Sequence, residues 1–165
     1  MELTSKTYEV DADHYIGRWS NVIISIWRRD PSAERLRSLR TWAGRFLSET
    51  DGPVFAIVVV EDRCPVPNDM GRKHSVGFIR DLGDRALGIV LVFEGSGFLA
   101  ATSRAVMLGL MTAASFAMPY DIARTVDEAE AFLIKNSPAV KRGSLIQAVE
   151  LARRKLPAKE KRLER

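Results

Sequence analysis

The chain has 165 residues, 46% apolar and 28% charged, which suits one globular domain and excludes a chain disordered over most of its length. Its formal charge of +4 is unevenly spread: residues 1–140 hold 16 Lys and Arg against 18 Asp and Glu, a net of −2, and residues 141–165 hold 9 against 3, a net of +6. A lone cysteine, Cys64, excludes an internal disulfide and a cysteine-built metal cage, so a reducing, cytoplasmic setting is expected.

In chain order, residues 4–10 alternate weakly and read as a first strand. Residues 22–27, VIISIW, are β-branched and aromatic, the composition of a strand. Asp30 and Pro31 then suit the cap and first position of a helix, with Glu34 in its first turn. That helix carries Leu36, Leu39, Ala43, Phe46 and Leu47 at spacings of three and four, and it stops at Thr50-Asp-Gly-Pro53. Residues 54–60, VFAIVVV, are apolar without alternation, as in a central strand covered on both faces. Two prolines extend the loop that follows, and Asn68 or Asp69 caps a helix over 69–82.

Residues 87–93, LGIVLVF, form a second central strand, followed by the turn Glu94-Gly-Ser-Gly97. A mostly apolar helix is expected from Phe98 to about Phe116. The charge-free run from Ala105 to Tyr120 has 16 residues, short of the roughly 20 needed to span a bilayer, so it reads as a buried helix. A short strand at 120–124 and the capping box Thr125–Glu128, which opens a helix through Leu133, come next. Residues 136–143 read as a linker. Leu145, Ala148, Val149, Ala152 and Leu156 mark a last amphipathic helix, and residues 157–165 a charged end. The first fifteen residues lack the apolar core of a signal peptide. This order predicts an α/β fold: a small, mostly parallel or mixed sheet of four to five strands with helices on both faces, plus a C-terminal helix.

Four segments together resemble the STAS domain of sporulation-type anti-sigma-factor antagonists and the looser SpoIIAA-like group. They are VIISIW with its capped helix, the strand VFAIVVV, the strand LGIVLVF with its helix, and the ending YDIARTVDEAEAFL. The resemblance covers about residues 4–135. It implies a domain at 1–135 with a regulatory, bacterial-type protein-binding habit, which leaves residues 136–165 as a linker and a basic amphipathic helix. Phosphorylatable members carry D-S-S-G after the central strand. Here that turn is Glu61-Asp-Arg-Cys-Pro-Val-Pro-Asn-Asp69, without a serine, and the turn at 94–97 places Gly95 where the phosphoserine belongs. The regulatory serine is therefore not carried over.

Candidate ligand residues lie on the loops after the two central strands. Gly95, Ser96 and Gly97 end a strand and open a helix, where backbone N–H groups and the helix dipole can hold an anion. Glu94 beside them opposes one, and a plain glycine turn with Ser96 as helix cap is the alternative. Cys64 sits at the same sheet edge, and catalysis there needs a lowered thiol pKa and a base such as His74. Arg72, with Lys73 and His74, lies in a helix first turn, where positive charge opposes the dipole and suggests either an anionic neighbour or a solvated start. His14 with Asp11 and Asp13 lacks a second histidine and reads as a surface turn rather than a metal site. The arginine face at 35–45, near Trp27 and Trp42, reads as solvation rather than a nucleic-acid surface. The basic C-terminal stretch offers at most a weak contact with an acidic surface. The apolar helix at 98–116 needs a cover, for which the helix at 144–156 or a second subunit is the candidate.

The reading is a non-enzymatic regulatory or protein-interaction module with a protein partner, a possible homodimer, and no catalytic residues, metal or cofactor. Two alternatives remain: a domain binding a small anionic ligand or a lipid through the loops after 54–60 and 87–93, and an enzyme using Cys64 or Ser96.

Overall fold

The computed structural model describes residues 5–137 and 139–158. Thr4, Pro138 and residues 159–165, on which parts of the expected first strand, linker and charged end fall, lie outside them. Six strands form one sheet: β1 (Ser5–Val10), β2 (His14–Trp19), β3 (Val22–Trp27), β4 (Val54–Val60), β5 (Ala86–Phe93) and β6 (Tyr120–Ala123). Their spatial order equals their chain order. β1, β2 and β3 are antiparallel, and β3 to β6 are parallel.

The expected α/β architecture stands, with six strands where four to five were expected. The added strand is β2. Its sequence, HYIGRW, interrupts the apolar pattern with Gly17 and Arg18, and the Ser20-Asn21 turn joining it to β3 contains no glycine. Ser20 takes the left-handed φ of 52° there, a region asparagine and glycine enter more readily. Gly17 makes room in β2: a Cβ at that position would meet the Tyr15 hydroxyl and lie 2.7 Å from the Lys6 carbonyl oxygen.

Five helices connect and cover the strands: α1 (Ala33–Glu49), α2 (Asp69–Leu82), α3 (Phe98–Ala114), α4 (Val126–Asn136) and α5 (Ser144–Lys155). The α1 cap is Ser32, whose hydroxyl accepts from the Arg35 N–H, two residues later than the Asp30 cap expected. Asn68 caps α2, accepting from the Gly71 N–H at 2.8 Å. The Thr125 hydroxyl accepts from the Glu128 N–H, while the Glu128 carboxylate reaches back to the Arg124 N–H.

Each parallel strand from β3 onward pairs with the next, always in one direction. Right-handed crossovers then place α1, α2 and α3 on a single face. There Leu36, Leu39, Phe46, Phe78, Ile79 and Met111 pack with Ile23, Trp27, Ala56 and Leu91. The opposite face is left to the chain after β6. On it Ala129 and Leu133 of α4 and Leu145, Val149 and Ala152 of α5 pack with Tyr15, Ile24, Phe55 and Val92. The alternate residues of β3 and β4 thus feed two cores, which is why both strands are apolar without alternation.

α5 consequently does not cover α3, contrary to the first of the two covers expected. The two helices lie on opposite sides of the sheet. Among the described residues no helix is long and apolar enough to cross a membrane.

Candidate functional site

The carboxyl ends of β4 and β5 are the edge where ligands bind in open parallel sheets. Here the edge is occupied by side chains. Glu61 follows β4 directly, and its carboxylate is 1% exposed. It accepts from Arg28 at 2.7 and 3.3 Å and from Arg153 at 2.7 Å. Arg153, from the last turn of α5, also donates to Glu94, which follows β5. Its Nε lies 3.6 Å from Glu150. Burial alone would lower the Arg153 pKa, but hydrogen bonds and charge from Glu94 and Glu61 outweigh it and hold the guanidinium above its usual value. Sequence reading missed this cluster, since Glu61 and Arg153 are 92 residues apart.

The glycine turn is exposed and lies beside acids. Gly95 and Gly97 adopt left-handed φ of 95° and 98°, and a Cβ on Gly95 would run into the Asp62 carboxylate. Gly97 is the cap of α3 and no side chain caps it, so Ser96 does not take the capping role considered for it. Asp62 and Glu94 together make this turn a poor anion cradle. Arg72 donates to the Pro67 carbonyl at 3.0 Å and to Asp69, both in its own turn of chain. The structure therefore sets the five candidate ligand residues in three separate surroundings: Gly95, Ser96 and Gly97 on the exposed turn, Cys64 inside, and Arg72 at the start of α2.

Cys64 is buried and its thiol donates to the Arg29 carbonyl at 3.1 Å. Burial, reinforced by the charges of Glu61, Asp30 and Asp13, pushes its pKa up to about 12. A thiol so placed stays protonated at neutral pH, the opposite of an activated nucleophile. His74, the base considered for it, instead has its Nδ1 3.5 Å from an Arg40 guanidinium nitrogen.

His14 is buried in β2 and not part of a surface turn. Its ring stacks on Trp27 at 5.3 Å and 12°. Nδ1 lies 3.0 Å from Asp11 and Nε2 2.6 Å from Glu9. Glu9 also accepts from Ser38 and from the Trp42 indole, each at 2.7 Å. Burial would raise the Glu9 pKa, yet the hydrogen bonds from Trp42, Ser38 and His14 bring it below the ordinary value. Asp11 is likewise lowered against burial, by the backbone N–H of Asp13, then His14 and Arg35. Arg35 spans Asp11, Asp13 and Asp30. Arg40 pairs with Asp81, and Arg45 with Glu49. Arg35, Arg40 and Arg45 of the arginine face are thus tied to neighbouring acids, and Arg37 is exposed. Among the described residues no group of three His, Cys, Asp or Glu side chains is arranged to hold a metal ion.

Two further features stand out. One is an apolar cavity of about 70 Å³ between the sheet and α1, α2 and α3, lined by Trp27, Leu36, Cys64, Phe78, Leu91 and Met107 among others. The other is the outer side of α3, where Phe98 is 88%, Leu99 45% and Leu108 51% exposed. Only Ala100, Ser103 and Met111 of that helix are buried.

Comparison of the chain with protein-family models, with curated proteins and with solved structures finds no significant match.

Proposed function

We propose that the chain is a non-enzymatic protein-interaction module of regulatory type, docking through the outer face of α3. The observation that carries the reading is that face itself: three large apolar side chains stand open to solvent on one helix. Leu99 and Leu108 stand on the two flanks of that side, with Phe98 and the exposed small residues Ala101, Ala105, Gly109 and Ala113 between them, and exposed apolar surface of this kind marks a contact site in soluble proteins. The strand and helix order that resembles the STAS group supports the same reading. So does the strand edge, where Arg153 and Glu61 fill the position a small substrate takes in open sheets.

The partner fitting this face is a second copy of the chain. Arg104 is the one charged residue in α3, and it turns inward to donate to the Phe93 carbonyl at 3.2 Å. Pairing the face with itself therefore brings no like charges together. Ala101, Ala105, Gly109 and Ala113 recur every fourth residue, which places them on one side and lets two helices approach closely. Light scattering is expected to give a dimer mass for the wild type and a monomer mass for Leu108→Glu. A monomer at every concentration, or a dimer indifferent to that substitution, overturns the reading.

The alternative of an anion at the glycine turn loses support because Asp62 and Glu94 flank it. The apolar part of that alternative has an observation in its favour, the cavity beneath α3.

A further inference from the structure

On the face of the sheet opposite α1, α2 and α3, a cleft of about 330 Å³ lies between α5 and the strands β1 and β2. That volume is about twice the roughly 150 Å³ that holds benzene, and it falls within the roughly 300–1,000 Å³ of small-ligand sites. Trp19 and Ile24 of the sheet and Ala148, Leu151 and Ala152 of α5 give the cleft an apolar middle. Leu151 is 49% exposed, so this wall is open rather than packed. Ser144 and Gln147, from the start of α5, and Ser5, which pairs with Trp19, make one end polar and uncharged.

The other end carries a cation. Lys155, the last residue of α5, donates to the Thr7 hydroxyl at 2.6 Å and stands 5.9 Å from the centre of the Tyr15 ring. The Tyr15 hydroxyl lies 3.5 Å from the same Thr7 oxygen. Gly17 allows this placement, since a Cβ there would collide with the Tyr15 hydroxyl. Burial raises the Tyr15 pKa, which keeps the hydroxyl protonated and able to donate. No Asp or Glu is among the described residues that line the cleft, and among the described residues no carboxylate pairs with Lys155. Arg18, also in the wall, directs its guanidinium to the Glu49 carbonyl at 3.3 Å and the Thr50 hydroxyl at 3.2 Å. The Lys155 ammonium, with three donors, thus has one neutral partner and no counter-charge.

We infer that this cleft binds a small monocarboxylate whose apolar body is about one ring in size. The carboxylate meets Lys155 at the Tyr15 end, and the body lies along Trp19, Ala148 and Leu151. Charge selects the head, because a held ammonium without an acid favours one anionic group. The apolar middle and the neutral far end select a body without a second charge.

The test is calorimetric titration of the full chain at neutral pH with three compounds of one shape: 3-phenylpropanoate, 3-phenylpropan-1-ol and 3-phenylpropylamine. Saturable one-to-one binding is expected for the acid, binding about tenfold weaker for the alcohol, and none for the amine. Lys155 is exposed, so Lys155→Met is expected to keep its thermal melt and to bring the acid down to the affinity of the alcohol, a loss of about tenfold. Ala148→Phe narrows the cleft from the α5 side and, where it melts cooperatively, is expected to lose acid and alcohol alike. In NMR spectra the acid is expected to shift the Trp19 indole N–H and to leave that of Trp42, which donates to Glu9 on the opposite face, in place. The proposal is overturned by absence of saturable acid binding, by equal binding of the amine, by undiminished acid binding in Lys155→Met or in folded Ala148→Phe, or by a shift centred on Trp42. Nothing here depends on self-association through α3. The solution mass is read on the same samples, so loss of ligand binding and loss of self-association are scored separately.

Discussion

α3 and α5 lie on opposite faces of one sheet and invert what their compositions suggest. α3 is the most apolar helix, yet only Ala100, Ser103 and Met111 of it are buried. α5 is rich in Arg, Lys and Gln, yet Leu145, Ala148, Val149 and Ala152 are buried. The difference lies in how each is held. α5 is anchored by buried carboxylates at both ends. Glu130 of α4 accepts from the N–H groups of Gly143 and Leu145 at its start, and Glu61 takes Arg153 at its finish. α3 starts without a side-chain cap and spans an apolar gap. The contrast teaches that topology and a few buried ionic anchors decide which helix is covered, while apolar content decides only what an uncovered helix does with its surface.

The largest test of that contrast is removal of the Glu61 anchor. Glu61→Leu leaves Arg28 and Arg153 facing an apolar side chain, and a loss of about 3–5 kcal/mol in urea unfolding is expected. A change under about 1 kcal/mol would show that α5 is held by its apolar stripe alone. Glu130→Ala strands the first N–H groups of α5 and is expected to cost about 2 kcal/mol, read the same way. Unfolding should then begin in α5, visible as early amide exchange at 145–152.

A pH series is expected to act on the other face. Glu9 and Asp11 are held below their ordinary values of 4.5 and 3.8. Hydrogen bonds from Arg45 and Lys6 bring Glu49 to about 2. The stability these carboxylates contribute is complete above their ordinary values and falls away as pH drops below them. Cys64 works in the opposite sense: its contribution is complete below 9.0 and is lost as pH climbs toward about 12. Thermal melts should therefore fall at both ends of the pH range. Cys64→Ala should reduce the alkaline fall and leave the acid one in place. The smallest effect is expected at Leu108→Glu, within about 0.5 kcal/mol in the monomer, since the side chain is exposed there. A large loss would mean that α3 is packed more firmly than its exposure suggests.

Much of the architecture is legible in sequence because it is written locally. The run 54–60 and the helix 69–82 have the bounds expected, since an uninterrupted apolar stretch and an Asn cap are short-range signals. β2 is not legible, because its pattern makes sense only once Tyr15 packs over Gly17 and His14 packs on Trp27. The strand-end cluster is equally hidden. Helical spacing puts Arg153, four residues after Val149, at the edge of the apolar stripe and Arg154 on the far side, but nothing local says that the partners of Arg153 are Glu61 and Glu94. The side of the sheet taken by α5 follows from counting right-handed crossovers, a global property that hydropathy does not carry.

The packing of β2 and β3 under a helix that follows all six strands has a consequence during synthesis. Tyr15, Trp19 and Ile24 share a core with Leu145, Val149 and Ala152. While the nascent chain lengthens, those first strands have no lid on that flank until residues 144–156 clear the ribosome. A product cut short before that point carries a bare aromatic and β-branched flank, the kind of surface on which chaperones act and unfinished chains aggregate.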